Sequence, residues 1–563
     1  MGIFEEKTYQ VKCSGLSNEG QGVARIESDR EKDNGLKVFV DDLLPGEVAK
    51  IRITSREKNL AHGEKIETVS ESPNRVVPVC SEFTKCGGCQ IQHADYACQL
   101  KMKEDMVRSC LHRIGHISLS DLHSVSEPIL GAPDQFFYRN NVQYPIEYSH
   151  AKKSVNIGLY EKKSHKIVEH EKCYLVHPSA EVIRGVAQIY FSDHSRANIA
   201  KYLRQLIVRV GFFSKEMMVV LVCTRPIKLD AEEFVQTCER AMSQAQIGMH
   251  ISSIWTQETK DRAKKGASDC WTNVWGKPYI HEFLEHRVFR ISPDAFFQVN
   301  SKQTIHLYSK VKEYLRYDGA LPRLLVDLYC GTGSIGIFCS SVCHHLVGIE
   351  SVESAVIDAR ANATANYLEN AEFFCGKAED YDFGAMMPDA VVIDPPRKGC
   401  DEKLLRELLH LAPTRIVYVS CNPSTLARDL HRLFQIQEEG DTRYGISRIC
   451  PVDMFPNTSH VETVVLLSKE NISTKHVRVE FNLEEMDMSG FKVGATYEEI
   501  IAWVQEKYGF HVTHLNIAQV KRKCGIVERE NYNLPKSPDS RQPNTPKEKE
   551  DAIKDAFKHF NMI

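Results

Sequence analysis

The sequence predicts a multidomain α/β protein: an OB-like β-barrel at the amino terminus, a mixed α+β central domain carrying a cysteine cluster, a Rossmann-like carboxyl-terminal domain and a small helical appendix. Three observations predict it. The 563 residues exceed what one hydrophobic core organises, so about three or four domains are expected. Residues 8 to 68 run in short β-type alternations, whereas from about 300 onward apolar strand-like runs alternate with helical segments, the texture of a parallel, doubly wound sheet. After about residue 470 the pattern changes again. The expected divisions are 5–68, 69–299, 300–468 and 469–563.

Each element has its own signal. The barrel rests on Val23 to Ile26, Leu36 to Val40 and Glu47 to Thr54, punctuated by Gly20, Gly22, Pro45 and Gly46. From His93 to Ile114 the apolar residues Tyr96, Leu100, Val107, Cys110, Leu111 and Ile114 keep near-helical spacing. In the central region, Gln205 to Gly211 and Met217 to Cys223 form an expected hairpin around Ser214-Lys215. The parallel sheet is expected from Leu324 to Tyr329, His345 to Glu350, Ala390 to Asp394 and Arg415 to Ser420. The appendix has an expected helix at Tyr497 to Lys507, a Pro-, Asn- and Lys-containing stretch from Asn531 to Lys549, and a terminal helix.

Composition narrows the function classes. Hydrophobic content of 42% and charged content of 26% are ordinary for a soluble globular chain, and no apolar run nears the ~18 residues of a membrane span. The polar start, with Glu5 and Glu6, fits neither a secretory signal nor a transit peptide, which places the chain in the cytoplasm. Most of the 18 cysteines lie singly in apolar stretches, as Cys223, Cys339 and Cys343 do; clustered ones point to metal or catalysis in a reducing compartment. A net charge of −4 is not that of a dedicated nucleic-acid binder, so any RNA contact falls to local patches: Arg262, Lys264 and Lys265; Lys152 and Lys153; Arg397 and Lys398.

The chemistry gathers at strand ends. Val326 to Gly336 reads as a strand entering a glycine-rich turn and then a helix, and Glu350 ends the next strand, where a carboxylate can hold ribose hydroxyls. The Asp327-Leu328-Tyr329-Cys330 start points to adenosylmethionine rather than NAD. Asp394, before Pro395-Pro396-Arg397, and Cys421, after Ser420, close two further strands and so face the same crevice. Beside the helix start at Ser424, Cys421 is expected to be a stabilised thiolate. Such a set serves methylation of a pyrimidine C5, a carbon too weakly nucleophilic until a thiolate adds to C6. A base must then remove the C5 proton, and Glu462 is the carboxylate downstream. Cys80, Cys86 and Cys89 form a separate metal-binding cluster.

These residues closely resemble the RNA (uracil-5-)-methyltransferase family, above all its bacterial 23S rRNA branch, over about residues 5 to 467. The resemblance rests on a TRAM-like start (Gly20-Gln21-Gly22-Val23-Ala24-Arg25 and Leu44-Pro45-Gly46-Glu47), on Cys80-x5-Cys86-Gly87-Gly88-Cys89, on Ser292-Pro293-Asp294-Ala295-Phe296-Phe297-Gln298-Val299-Asn300 and on the strand ends above. It implies a nucleophile at Cys421, a proton-abstracting base at Glu462, and adenosylmethionine contacts at Gln298, Tyr329, Glu350 and Asp394. It also implies a [4Fe-4S] cluster on Cys80, Cys86, Cys89 and Cys173, the last by family-like position; four thiolates alone suit zinc equally. Two positions depart from the family: Asn457 stands where it commonly has His, and Lys377 where it often has Asp, with Glu379 or Asp380 as substitutes there.

The implied activity is methylation of C5 of a uridine in 23S rRNA, with the β-barrel supplying RNA affinity outside the pocket. A tRNA substrate is the alternative within the class. An exocyclic-amine methyltransferase would place an aromatic residue after Asp394-Pro395-Pro396, where Arg397 stands. A non-catalytic iron–sulfur RNA-binding assembly factor would have no use for Cys421, Glu462 and Gln298 together.

Overall fold

The computed structural model describes residues 8–27, 34–57, 59–259, 270–317, 319–384, 386–469, 497–524 and 545–560. The expected basic patch at Arg262, Lys264 and Lys265, residues 5–7 of the expected barrel, and most of the Asn531 to Lys549 stretch lie outside them. Residues Met1–Ser473 form one compact unit and Thr474–Ile563 a second.

Strands β1 (Thr8–Leu16), β2 (Gly22–Arg25), β3 (Lys37–Val40), β4 (Val48–Arg56) and β5 (Leu60–Ser70) close into a barrel in the order β1-β2-β3-β5-β4. Their alternation puts Val11, Ala24, Val38, Val40, Ala49 and Ile51 inside and polar residues outside. The cysteine-bearing segment leads to helix α1 (Tyr96–Arg113), started by the Asp95 carboxylate, which accepts from the Cys98 amide. α2 (Leu119–Val125) follows.

The central sheet combines β6 (Asn141–Ser149), β7 (Ser154–Ile157), β10 (Leu203–Val210), β11 (Glu216–Cys223), β12 (His250–Glu258) and β13 (Cys270–Gly276), in the order β13-β12-β11-β10-β6-β7. Beside it stands a two-stranded ribbon, β8 (Leu159–Tyr160) and β9 (Ile167–Val168). The expected hairpin is β10 against β11. Helices α3 (Pro178–Phe191) and α5 (Ala231–Gln244) cover one face, with the short α4 (Ala197–Ala200) between them in sequence. Ile207, Met218, Val220 and Val222 on the other face join the core of the next region, so β11 is buried at every position.

Past the ribbon β14 (Ile280–Leu284) and β15 (Arg287–Ile291), α6 (Ser301–Leu315) opens the Rossmann-like region. Its strands are β16 (Leu324–Leu328), β17 (His345–Glu350), β18 (Ala371–Cys375), β19 (Ala390–Ile393), β20 (Arg415–Ser420), β21 (Tyr444–Val452) and β22 (Glu462–Lys469). The helices between them are α7 (Ser334–Cys339), α8 (Glu353–Ala365), α9 (Glu402–Leu411) and α10 (Pro423–Ile436). The sheet order is β18-β17-β16-β19-β20-β22-β21. The expected parallel pairing holds for the five strands β16 to β20, but β22 runs antiparallel to both β20 and β21. The reason is connection length. Residues 453–461 between β21 and β22 are too few for the crossover a parallel pair needs, so the chain must return as a hairpin.

The second unit holds α11 (Tyr497–Tyr508), α12 (His514–Lys523) and α13 (Lys547–His559) around Ile500, Val504, Ile517, Val520, Ile553 and Phe557. Among the described residues no helix is long and apolar enough to cross a membrane.

Candidate active site

The site is assembled at the carboxyl ends of β16, β17, β19 and β20. Beyond β16 the chain turns through Tyr329 (φ 60°), Gly331 (φ 54°) and Gly333 (φ 74°) into α7. Left-handed backbone suits glycine; a tyrosine there is held against its preference, and its hydroxyl donates to Glu379 at 2.8 Å. Of the two substitutes considered for Lys377, Glu379 is therefore the one beside this turn, while Asp380 pairs with Lys403 at the surface. Two carboxylates brace the turn. Asp327, fully buried, accepts from the Gly336 amide at 2.9 Å, while its second oxygen has no partner. Glu350 accepts from the Gly331 amide at 3.1 Å with one oxygen and from Ser351 and Val352 with the other. Glu350 thus shapes the glycine loop as well as facing the crevice.

The hairpin edge of the sheet creates the second half of the site. Antiparallel pairing of β20 with β22 sets Ser420 opposite Thr463, so one step further Cys421 and Glu462 leave adjacent strands at the same level. Asp394 follows β19, the other neighbour of β20. Glu462 is only 3% exposed, and burial, with the nearby Asp394 charge, pushes its carboxyl up to about 8. Burial also lifts Asp394 and Asp327 to about 7. The Cys421 thiol is pushed up to about 12 by burial and by the charges of Glu462 and Asp394, with Arg397 opposing. The helix start beside Cys421 does not give the expected stabilised thiolate, because burial above all, and then the two nearby carboxylates, favour the thiol. The basic pair Arg397 and Lys398 is exposed at the rim of this crevice, and Lys152 and Lys153 are exposed on the β6–β7 turn.

What holds Glu462 was not foreseen. The 453–461 loop before it is pinned by α1: Lys103, fully buried, donates to Asp453 at 2.5 Å and to the Phe455 carbonyl at 3.0 Å, and Tyr96 donates to the other Asp453 oxygen at 2.9 Å. Asn457, left-handed at φ 68°, exchanges hydrogen bonds with Gln99 and donates to the Gln135 carbonyl at 2.7 Å, while its own carbonyl accepts from the amides of Gln90 and Ile91. Asn457 is therefore a structural pin, and asparagine at a turn was its one local sign. Gln298 is buried, and its carbonyl accepts from Asn140 at 2.8 Å.

Away from this crevice, Cys80, Cys86, Cys89 and Cys173 line one cavity of about 30 Å³, with Phe83, Leu159, Val168 and Leu175 among its apolar walls. Among the described residues no three His, Cys, Asp or Glu side chains are gathered tightly enough to hold a single metal ion. Burial raises the thiols of Cys86, Cys89 and Cys173, with repulsion between neighbouring sulfurs adding to it.

Comparison with known proteins follows these lines. The TRAM domain model matches residues 4–66 and the tRNA (Uracil-5-)-methyltransferase model residues 377–470, the stretch holding Asp394, Cys421 and Glu462. An uncharacterized RNA methyltransferase of Oceanobacillus iheyensis is 36% identical over 479 residues, 83% of this chain and 97% of its own. The chain belongs to the RNA (uracil-5-)-methyltransferase family. An uncharacterized RNA methyltransferase of Bacillus cereus is 37% identical to this methyltransferase over 477 residues, 83% of this chain and 98% of its own. Among solved structures, the Pyrococcus abyssi tRNA (uracil-54, C5)-methyltransferase in complex with S-adenosyl-L-homocysteine superposes with a TM-score of 0.60 at 26% identity, covering 81% of this methyltransferase and 99% of that chain.

Proposed function

We propose that this methyltransferase moves a methyl group from adenosylmethionine to C5 of a uridine in 23S rRNA, with Cys421 as nucleophile and Glu462 as base. The observation that carries the reading is the β20–β22 register, which puts a thiol and a buried carboxyl at adjacent strand ends beside Asp394. The crevice gathers the carboxyls of Asp327, Asp394 and Glu462 with Arg397 opposing them near Glu462, so it favours a cationic ligand. A methyl sulfonium has that charge. When bound, adenosylmethionine would supply the electrophilic methyl carbon; in this reading Glu350 holds its ribose, and Gln298, Tyr329 and Asp394 are its other contacts.

The Cys421 thiol loses its proton to water and adds to C6 as thiolate, and the displaced π electrons make C5 nucleophilic. C5 takes the methyl group, and neutral adenosylhomocysteine is left. Glu462, ionised, removes the C5 proton, the ring electrons return, and the C6–sulfur bond breaks to free Cys421. A carboxyl near 8 is well matched to accepting a proton at neutral pH. The uridine has to leave its stack to reach the pocket, and the barrel would grip RNA outside it. The deciding experiment is nucleoside mass spectrometry of 23S rRNA and tRNA from cells lacking the gene. Loss of 5-methyluridine from 23S rRNA alone supports the reading; loss from tRNA alone moves this protein to the substrate named for the Pyrococcus abyssi relative.

The cavity lined by Cys80, Cys86, Cys89 and Cys173 is the proposed seat of a [4Fe-4S] cluster, a reading that rests on the family resemblance, since four thiolates suit zinc equally. When bound the cluster would tie the 80–89 loop to the Cys173 segment. Anaerobically purified protein should be brown with iron and acid-labile sulfide; colourless protein with stoichiometric zinc would reverse the assignment.

A further inference from the structure

The barrel is joined to the catalytic loop at one turn, Ser17 to Gln21, and this turn reaches both halves of the catalytic pair. Asn18 donates from its side chain to the Ser424 hydroxyl at 2.6 Å, and its backbone carbonyl accepts from the Ser459 hydroxyl at 2.9 Å. Ser424 lies three residues after Cys421, in the first turn of α10; Ser459 lies three residues before Glu462. The turn itself is stiff. Ser17 and Gln21 are bonded across it, the Ser17 hydroxyl accepts from the Gln21 amide at 3.1 Å, and the Gln21 side chain donates to Asp41 at 2.9 Å.

Gly20 closes the junction. It is buried at φ 79°, and a β-carbon there would come within 2.6 Å of the Gln90 β-carbon and 3.2 Å of that of Ser459. Gln90 in turn bonds through its amide to the Asn457 carbonyl at 3.1 Å. Both the backbone angle and the space therefore demand glycine, and the closeness they permit is what lets the barrel seat on the loop carrying Glu462.

We propose that the Asn18–Gly20 turn is a positioning element for the reaction, fixing Cys421 and Glu462 relative to each other by bridging their two segments. The proposal rests on the roles assigned above to Cys421 and Glu462. It gives the barrel a second task beside RNA affinity: RNA that orders the barrel also orders the pair. A displacement of about 1 Å in such a pair costs on the order of a hundredfold in rate.

The test separates kcat from KM. Gly20→Ala should lower kcat by about 30- to 100-fold, and Asn18→Ala by about three- to tenfold, with RNA KM within about twofold of wild type. Asn18→Asp, whose carboxylate can accept from the Ser424 hydroxyl, should recover most of the Asn18→Ala loss. Because elimination needs Glu462 aligned with the adduct, the steady-state fraction of enzyme covalently joined to RNA should rise in Gly20→Ala and Asn18→Ala. A raised KM with unchanged kcat would make the turn an RNA contact only and overturn the proposal. So would a kcat loss that tracks the loss of folded protein, with no rise in adduct. If Gly20→Ala does not fold, the Asn18→Ala and Asn18→Asp pair decides. Failure of the underlying reading shows separately, as absence of any adduct in Glu462→Gln.

Discussion

Two thiol sites in one chain show how little a cysteine means without its surroundings. In the cavity of Cys80, Cys86, Cys89 and Cys173, four cysteines share apolar walls, and burial, with repulsion between sulfurs, raises the thiols of Cys86, Cys89 and Cys173. At the carboxyl end of an interior strand a single sulfur, Cys421, leaves a fully buried run and meets carboxylates. Both sites push their thiols up, yet they ask for opposite things. Removing protons from the first calls for a metal group that binds several thiolates at once; the second calls for a passing positive charge and a nearby proton acceptor.

The largest effect is expected at Cys421. Cys421→Ala should abolish both methyl incorporation and any covalent RNA adduct, measured with labelled donor and denaturing gels, while binding of adenosylmethionine persists. Glu462→Gln should instead give about one equivalent of adenosylhomocysteine and then stop, leaving methylated RNA attached to Cys421; turnover at the native rate would pass the base role to Asp394.

The same substitution has a stability signature whose sign follows from burial. Glu462 is raised from 4.5 in an exposed setting to about 8 in the fold, so between those values the unfolded chain is ionised while the native state keeps its proton. The stability this group contributes is complete below about pH 4.5 and is lost as pH rises toward 8, at up to about 1.4 kcal/mol per unit. Glu462→Gln should therefore melt above wild type at pH 8 and alongside it at pH 4.5.

Glu350→Ala sharpens the cofactor half. Losing charge-assisted bonds of roughly 1.5 to 3 kcal/mol should weaken adenosylmethionine about ten- to hundredfold by calorimetry. The smallest effect expected concerns charge alone. Since Asp394 sits near 7, affinity for the cationic donor should rise several-fold from pH 6 to 8, and that for neutral adenosylhomocysteine should rise less. On the cavity side, Cys89→Ser should cost colour and melting temperature before it costs the chemical step.

The strand-to-turn signals were readable because they are local. Gly331, Glu350, Asp394 and Cys421 each sit where a run of apolar residues ends, and the cysteine triplet at 80, 86 and 89 is a spacing. What escaped reading depends on pairing between distant segments. The reversal of β22 was hidden because a buried parallel and a buried antiparallel strand look alike in sequence, as β20 and β22 do. The high Cys421 thiol comes from burial and from Glu462, 41 residues away, and the roles of Lys103 and Asn457 come from partners more than 320 residues off. α12 was missed because, within a ten-residue helix ending in Lys-Arg-Lys, few apolar positions mark its buried side.

The Lys103–Asp453 pair has a consequence for how this protein can be divided. Lys103 and Asp453 are both buried from water, one on α1 and one in the 453–461 loop that precedes Glu462. Cutting the chain so as to express the Rossmann-like region alone would strand an aspartate in a dry interior, a penalty of about 3 to 5 kcal/mol, and would strip α1 from α10. The Rossmann-like region is thus not a portable cassette: its folding is tied to the segment that carries the cysteines.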